Sequence, residues 1–230
     1  MTQPLALLPG LLCDAALWRH QVDALADLAD CQVADFTSQD SVAAMAESVL
    51  AMMPERFALA GLSMGGYVAL EVMRQAPGRV TRLALLDTSA WPDTPEQTAR
   101  RRGLIELAET GKFKGVTPRL LPLLIHESRL DDADLTGVVL AMAERVGKDA
   151  FLGQQRAIME RPDSRPTLVT IRCPTLVICG RQDALTPLDR AMELAAGISD
   201  ARLLVAEDCG HLSALERPET VNQALKAWLN

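Results

Sequence analysis

Phe57-Ala58-Leu59-Ala60-Gly61-Leu62-Ser63-Met64-Gly65-Gly66-Tyr67-Val68-Ala69-Leu70 reads as an apolar strand that runs straight into a helix through Gly-x-Ser-x-Gly. At such a turn the serine is held in a strained backbone conformation that lifts its hydroxyl clear of a sheet, and side chains two positions to either side would strike neighbouring backbone. Gly61 and Gly65 remove those collisions. The helix that follows points its amino end at the reacting centre, where its dipole favours developing negative charge. Ser63 is therefore a candidate nucleophile.

On both sides of this segment, short apolar runs alternate with helical patterns, the signature of a parallel sheet covered on both faces. Strands are expected near Leu5–Leu8, Gln32–Phe36, Phe57–Gly61, Val80–Asp87, Thr175–Cys179 and Arg202–Ala206. Helices are expected from Asp14 to about Ala29, over Ser41–Met53 and Met64–Gln75, and over Pro187–Ala196 and Pro218–Leu229, where the initial proline lacks only an N–H that a first turn leaves unused. The stretch 91–165 breaks the rhythm with several helical patterns and no strand. It is expected to be a helical lid inserted into a single α/β domain spanning 1–230, placed over the carboxyl ends of the strands where open parallel sheets bind ligands.

A serine hydroxyl needs an adjacent base at neutral pH. Of the three histidines, His211 follows the last strand in Ala206-Glu207-Asp208-Cys209-Gly210-His211 and so emerges at the same sheet edge as Ser63. His20 falls within an amphipathic helix and reads as a surface or packing residue, and His126 reads as a solvated lid residue. The acid that would orient the imidazole follows another strand, in Thr175-Leu176-Val177-Ile178-Cys179-Gly180-Arg181-Gln182-Asp183. The plainer reading of Asp183 is a cap for the helix near Pro187. Asp208 competes but lies too near His211 in the chain to reach around the ring, and Asp87, which ends a strand, is the reserve acid.

The order Ser63, Asp183, His211, carried by Gly61-Leu62-Ser63-Met64-Gly65-Gly66, Gly180-Arg181-Gln182-Asp183 and Cys209-Gly210-His211-Leu212 before Glu216-Arg217-Pro218, resembles the α/β-hydrolase superfamily along nearly the whole chain. Acid and histidine lie 28 positions apart (211 minus 183), similar to the family's usual short separation. The resemblance implies an oxyanion hole built from the backbone N–H of Met64 and of Leu11, with Leu12 as the alternative to Leu11. The loop that supplies it reads Pro9-Gly10 where many relatives carry His-Gly. Because backbone does the work, this departure bears on loop geometry and local polarity rather than on the hole itself. Larger relatives have two further leading strands, so six are expected here.

Composition limits the remaining possibilities. The net charge of −7 disfavours a nucleic-acid partner, and the cluster Arg100-Arg101-Arg102 reads as a solvated helix face. The first apolar run has no preceding positive charge and is broken by Pro9-Gly10, so neither a signal peptide nor membrane insertion is expected. Five cysteines without a CxxC pair suggest free thiols in a reducing cytoplasm. Metal-ligand spacing, dinucleotide fingerprint and phosphate loop are all absent from the sequence, so no metal and no cofactor are expected. The pattern carries no signal for oligomeric state.

Leu120–His126 is strongly apolar, and Met142 and Met159 lie on neighbouring helical patterns. Leu12, Trp91, Leu124, Leu185 and Leu212 are the candidate pocket residues. Together they favour a small-molecule acyl substrate that is mainly uncharged: carboxylic esters first, thioesters next, amides last. Fold and triad do not fix the reaction. Cofactor-free C–C hydrolase, lyase or perhydrolase chemistry and a non-catalytic small-molecule receptor remain the alternatives.

Overall fold

The computed structural model describes residues 2–230, with Lys112 described by its backbone alone. Six strands, β1 (Gln3–Leu8), β2 (Ala29–Val33), β3 (Phe57–Leu62), β4 (Val80–Leu86), β5 (Thr175–Gly180) and β6 (Ala201–Ala206), form one sheet in the order β2-β1-β3-β4-β5-β6. Every neighbouring pair is parallel. The helices are α1 (Arg19–Leu25), α2 (Val42–Met52), α3 (Met64–Gln75), α4 (Pro95–Leu107), α5 (Leu121–Leu124), α6 (Ala133–Met159), α7 (Arg165–Leu168), α8 (Leu188–Gly197), α9 (Ser213–Glu216) and α10 (Pro218–Leu229).

The continuous apolar runs follow from burial on both faces of the sheet. Successive side chains of a strand point to opposite faces, and each central strand divides its residues between two cores. Leu59, Leu83, Leu85 and Val177 pack with α2, α3 and α8 on one face. Ala60, Ala84, Leu86 and Ile178 pack with α1 and α10 on the other. Between β4 and β5, residues 87–174 add α4 to α7 and short 3₁₀ turns, with no strand among the described residues. The longest of these helices, α6, is interrupted at Gly147, whose φ of 77° lies in the left-handed region.

Two expected boundaries are corrected. The second strand is Ala29–Val33, not Gln32–Phe36, because Ala34 and Phe36 are buried in a loop beyond the strand end, against the α2–α3 core. The first helical pattern divides into a 3₁₀ turn over Ala15–Trp18, capped by Asp14, and then α1, which stops before Ala29 pairs with Gln3 in the sheet. Apart from β1, which begins at Gln3, two residues before the expected Leu5, the remaining elements fall within one residue of expectation at each end, with Ser41 capping α2 and Pro187 sitting just before α8. All five cysteines are free thiols. No helix among the described residues is long and apolar enough to cross a membrane.

Because all strands run the same way, the loops after β1, β3, β4, β5 and β6 share one sheet edge. Pro9–Cys13, Ser63, Asp87, Asp183 and His211 all lie on those loops.

Candidate active site

Ser63 sits between β3 and α3 with φ 56° and ψ −115°. Non-glycine residues rarely occupy this conformation, and it persists only where the surroundings enforce it. The enforcement is visible in the neighbouring bonds: Ser63 N–H donates to Leu86 O at 3.0 Å, and Thr88 Oγ1 donates to Ser63 O at 2.8 Å. A methyl group on Gly61 would lie 2.2 Å from Gly65 O, and one on Gly65 would lie 2.1 Å from Leu8 O. Any side chain at either position would open the turn.

His211 Nε2 lies 2.8 Å from Ser63 Oγ, and its Nδ1 lies 2.8 Å from Asp183 Oδ2. A carboxylate can only accept, so Nδ1 carries the proton and Nε2 is free to accept from the serine hydroxyl. Besides the imidazole, three donors fix Asp183. Leu185 N–H and Thr186 N–H reach Oδ1 at 2.8 and 3.0 Å, and Thr186 Oγ1 reaches Oδ2 at 2.7 Å beside the imidazole. Burial pushes the Asp183 carboxyl up, yet the His211 charge and hydrogen bond, with the Thr186 donors, hold it below the usual carboxylate range. Burial pushes the His211 imidazolium down, but Asp183, by charge and by hydrogen bond, leaves it above its ordinary value.

Asp87 and Glu216 stand behind this relay, each with a supporting role that sequence reading does not reveal. The reserve acid Asp87 is fully buried, accepts from Gly180 N–H at 2.9 Å and from Ser213 N–H and Oγ, and makes no hydrogen bond to His211. Burial, then the Asp183 charge, pushes its carboxyl up to about 8. It ties the β5 end to the loop after His211. Glu216 is buried and accepts from Gly210 N–H, Leu212 N–H and His126 N–H. It fixes the histidine loop from the carboxyl side, and burial raises its carboxyl. Its signal in the sequence is the motif Glu216-Arg217-Pro218, which carries part of the resemblance but not the role of its carboxylate.

The other candidates lie elsewhere. Asp208 has a largely exposed carboxylate near Arg217. His20 contacts Arg19 on the surface, and His126 turns its ring to Ser128. Asp87, Cys179 and Asp183 offer atoms within 4.8 Å of one another, but both carboxylates are already engaged by the N–H and O–H donors described above.

Leu12 N–H donates to Gln154 Oε1 at 2.9 Å and is thereby engaged. Neither Leu11 N–H nor Met64 N–H donates to any acceptor among the described residues. Of the two loop N–H groups, that of Leu11 is therefore the unengaged one among the described residues. A cavity of about 700 Å³ opens onto Ser63 and His211, and Leu12, Trp91, Leu124, Leu185 and Leu212 all line it. Met142 also lines it, whereas Met159 does not.

The cavity wall is not purely apolar, which departs from the expected pocket. Asp93 accepts from Arg101 Nε at 2.7 Å and from Arg161 at 2.6 Å, and all three residues line the cavity with Gln155 and Tyr67. The expectation that Arg100-Arg101-Arg102 is a uniformly solvated face fails at Arg101. The turn of α4 places this residue inward, with its side chain only 21% exposed, against a carboxylate that the sequence leaves far from any recognisable motif.

Comparison with known proteins fits this geometry. A family model described as "Alpha/beta hydrolase family" matches residues 5–224. The chain is 33% identical over 188 residues to the pimeloyl-[acyl-carrier protein] methyl ester esterase of Aromatoleum aromaticum, covering 76% of this chain and 75% of that protein. It is 30% identical to the 2-hydroxy-6-oxo-6-phenylhexa-2,4-dienoate hydrolase of Comamonas testosteroni, covering 74% of this chain and 61% of that one, less than two thirds of its length. A thermophilic esterase from Thermogutta terrifontis, solved with malate bound, superposes with a TM-score of 0.89 at 30% identity, covering 100% of this chain and 90% of that one.

Proposed function

The chain belongs to the alpha/beta hydrolase family, and from that premise we propose that it is a serine hydrolase of small carboxylic esters that works through an acyl-enzyme. The observation that carries this reading is the unbroken relay Ser63 Oγ, His211 Nε2, His211 Nδ1, Asp183 Oδ2, with 2.8 Å at both contacts of the imidazole. Ser63 Oγ attacks the ester carbonyl while His211 Nε2 takes its proton. The tetrahedral oxygen gathers charge against the N–H groups of Leu11 and Met64, at the amino end of α3. His211 then gives the proton to the departing alcohol. A water, deprotonated by the same nitrogen, attacks the acyl carbonyl, and Ser63 Oγ leaves with the proton to regenerate the resting site. Asp183 holds the tautomer and stabilises the imidazolium.

In this reading the segment 91–165 is the lid of a single domain, since α4 and α6 supply cavity-facing residues such as Gln97, Leu104 and Met142. The leucines beside the relay suit an ester whose reacting portion is uncharged, and thioesters follow as the next class. The likeness to the Comamonas testosteroni hydrolase favours one second reading, C–C bond hydrolysis by the same residues.

The test is titration with a serine-directed phosphonate alongside a p-nitrophenyl ester series of increasing acyl length. Stoichiometric labelling at Ser63 with saturable turnover is expected. No labelling and no turnover would leave a receptor as the better account, and turnover of a vinylogous diketone but of no ester would favour the second reading.

The relay also implies a direction for pH dependence. His211 must be neutral to accept a proton, and it is held above its ordinary value of 6.5. The rising limb of kcat/KM for a neutral ester is therefore expected to have its midpoint above 6.5, because kcat/KM reports the free enzyme. A limb centred below 6.5, measured at constant ionic strength, would contradict this assignment.

A further inference from the structure

We propose that the cavity recognises a carboxylate carried by the substrate a short chain away from the ester carbonyl, and that Arg161, Gln155 and Tyr67 hold it. The proposal rests on the esterase reading above and names the substrate class of that site.

Arg161 and Arg101 share one carboxylate, Asp93, so the cluster carries one uncompensated positive charge. The Arg161 and Asp93 side chains are only 6% and 1% exposed. With Arg101 itself only 21% exposed, the surplus charge of the cluster is mostly shielded from water, and a bound monoanion would compensate it. The other arginines around Trp91 differ. Arg165 pairs with Asp163, and Arg190 lies near both Asp189 and Glu193.

The donors left over point the same way. Arg161 spends Nε on Trp91 O and Nη1 on Asp93 and Ile158 O, leaving Nη2 without an acceptor among the described residues. Gln155 Oε1 accepts from Arg101 at 2.8 Å, which leaves the Nε2 amide unused. The Tyr67 hydroxyl likewise makes no hydrogen bond among the described residues. None of these three polar atoms is sealed from solvent, since the unpartnered, fully buried side-chain atoms are on Trp18, Gln21 and Gln39. All three residues are at least nine-tenths buried and line the cavity. A guanidinium edge, an amide N–H and a phenol O–H are the donors a carboxylate accepts from, and the single surplus charge suits a monoanion better than a dianion.

The position suits a bifunctional substrate. Tyr67 stands one turn of α3 beyond the nucleophile, its N–H donating to Ser63 O at 3.3 Å, and the Arg161 guanidinium lies 4.2 Å from the Tyr67 ring centroid. The nucleophile and the cationic wall therefore share one cavity, and Tyr67 on α3 links them.

The experiment compares kcat/KM for monomethyl esters of linear dicarboxylic acids with that for methyl esters of fatty acids of matched length. A second arm places the carboxylate on the alcohol side of the ester. The ratio of acid-bearing to neutral ester is read within each variant, so loss of folded protein cancels. The intact chain is expected to prefer the acid-bearing ester in one arm by about ten- to a hundredfold. Gln155→Glu keeps the acceptor for Arg101 while removing a donor and the surplus charge, and it is expected to abolish the preference, as is Arg161→Met. A ratio near one in both arms for the intact chain, or a ratio unchanged in both variants, overturns the proposal. Calorimetric titration of Ser63→Ala with the same half-ester separates this from failure of the esterase reading. Binding that Gln155→Glu removes supports the carboxylate site even without turnover, and absence of binding overturns it.

Discussion

Ser63→Ala, His211→Ala and the double variant are expected to fall to one common residual rate of ester hydrolysis, about 10⁴- to 10⁶-fold below the intact chain in kcat. In the proposed mechanism serine and histidine act as one unit. Without His211 the hydroxyl keeps its proton, and without Ser63 the imidazole has nothing to activate at the position 2.8 Å from Nε2. Removing the second partner therefore costs almost nothing further. What survives is whatever Leu11 N–H, Met64 N–H and the cavity do for a water attacking in place of the serine. Alanine relieves no strain at position 63, because its Cβ meets the same backbone at φ 56°, so the folded state is expected to persist. Thermal unfolding of each variant, followed beside initial rates on a p-nitrophenyl ester, checks both points. A double variant far slower than either single one would mean that the two residues contribute separately, and a Ser63→Ala rate within tenfold of the intact chain would remove the nucleophile.

What the sequence makes legible here follows from the range of the interactions. The turn at Ser63 is a local event, in which strand, two glycines and helix are contiguous and each constrains the next, so its geometry can be read before any contact is known. Asp183 and His211 are legible for a related reason: each directly follows an apolar run, and parallel strands bring all such positions to one edge. The misreading at Ala34 and Phe36 comes from burial that continues past the end of β2, since a loop that packs on the α2–α3 core has the same apolar alternation as a strand. Arg101 and Arg161 are misread or missed because their partner, Asp93, is reached only through tertiary packing. Asp87 could be identified as a strand-end carboxylate, but its ranking against Asp183 depends on which of the two faces the imidazole.

That ranking yields the second large effect: Asp183→Asn is expected to lower kcat/KM by about 10⁴-fold, while Asp87→Asn, at a carboxylate hydrogen-bonded to neither the imidazole nor the serine, is expected to cost far less. The asymmetry comes from the donors around position 183. Oδ1 faces Leu185 N–H and Thr186 N–H at 2.8 and 3.0 Å, so an asparagine must turn its carbonyl oxygen there. Its amide nitrogen then takes the place of Oδ2 and presents N–H to His211 Nδ1. The imidazole can meet an N–H only with an unprotonated nitrogen, so its proton moves to Nε2, the atom that must accept from Ser63. The base is still in place but in the wrong tautomer. Loss of the carboxylate also removes the charge that raises the imidazolium, so the rising limb of the residual kcat/KM should move to lower pH than in the intact chain. A merely loosened site would lower the rate without that shift. A full pH–rate profile for both asparagine variants distinguishes the cases, and a larger loss in Asp87→Asn than in Asp183→Asn would transfer the orienting role to the carboxylate behind the relay.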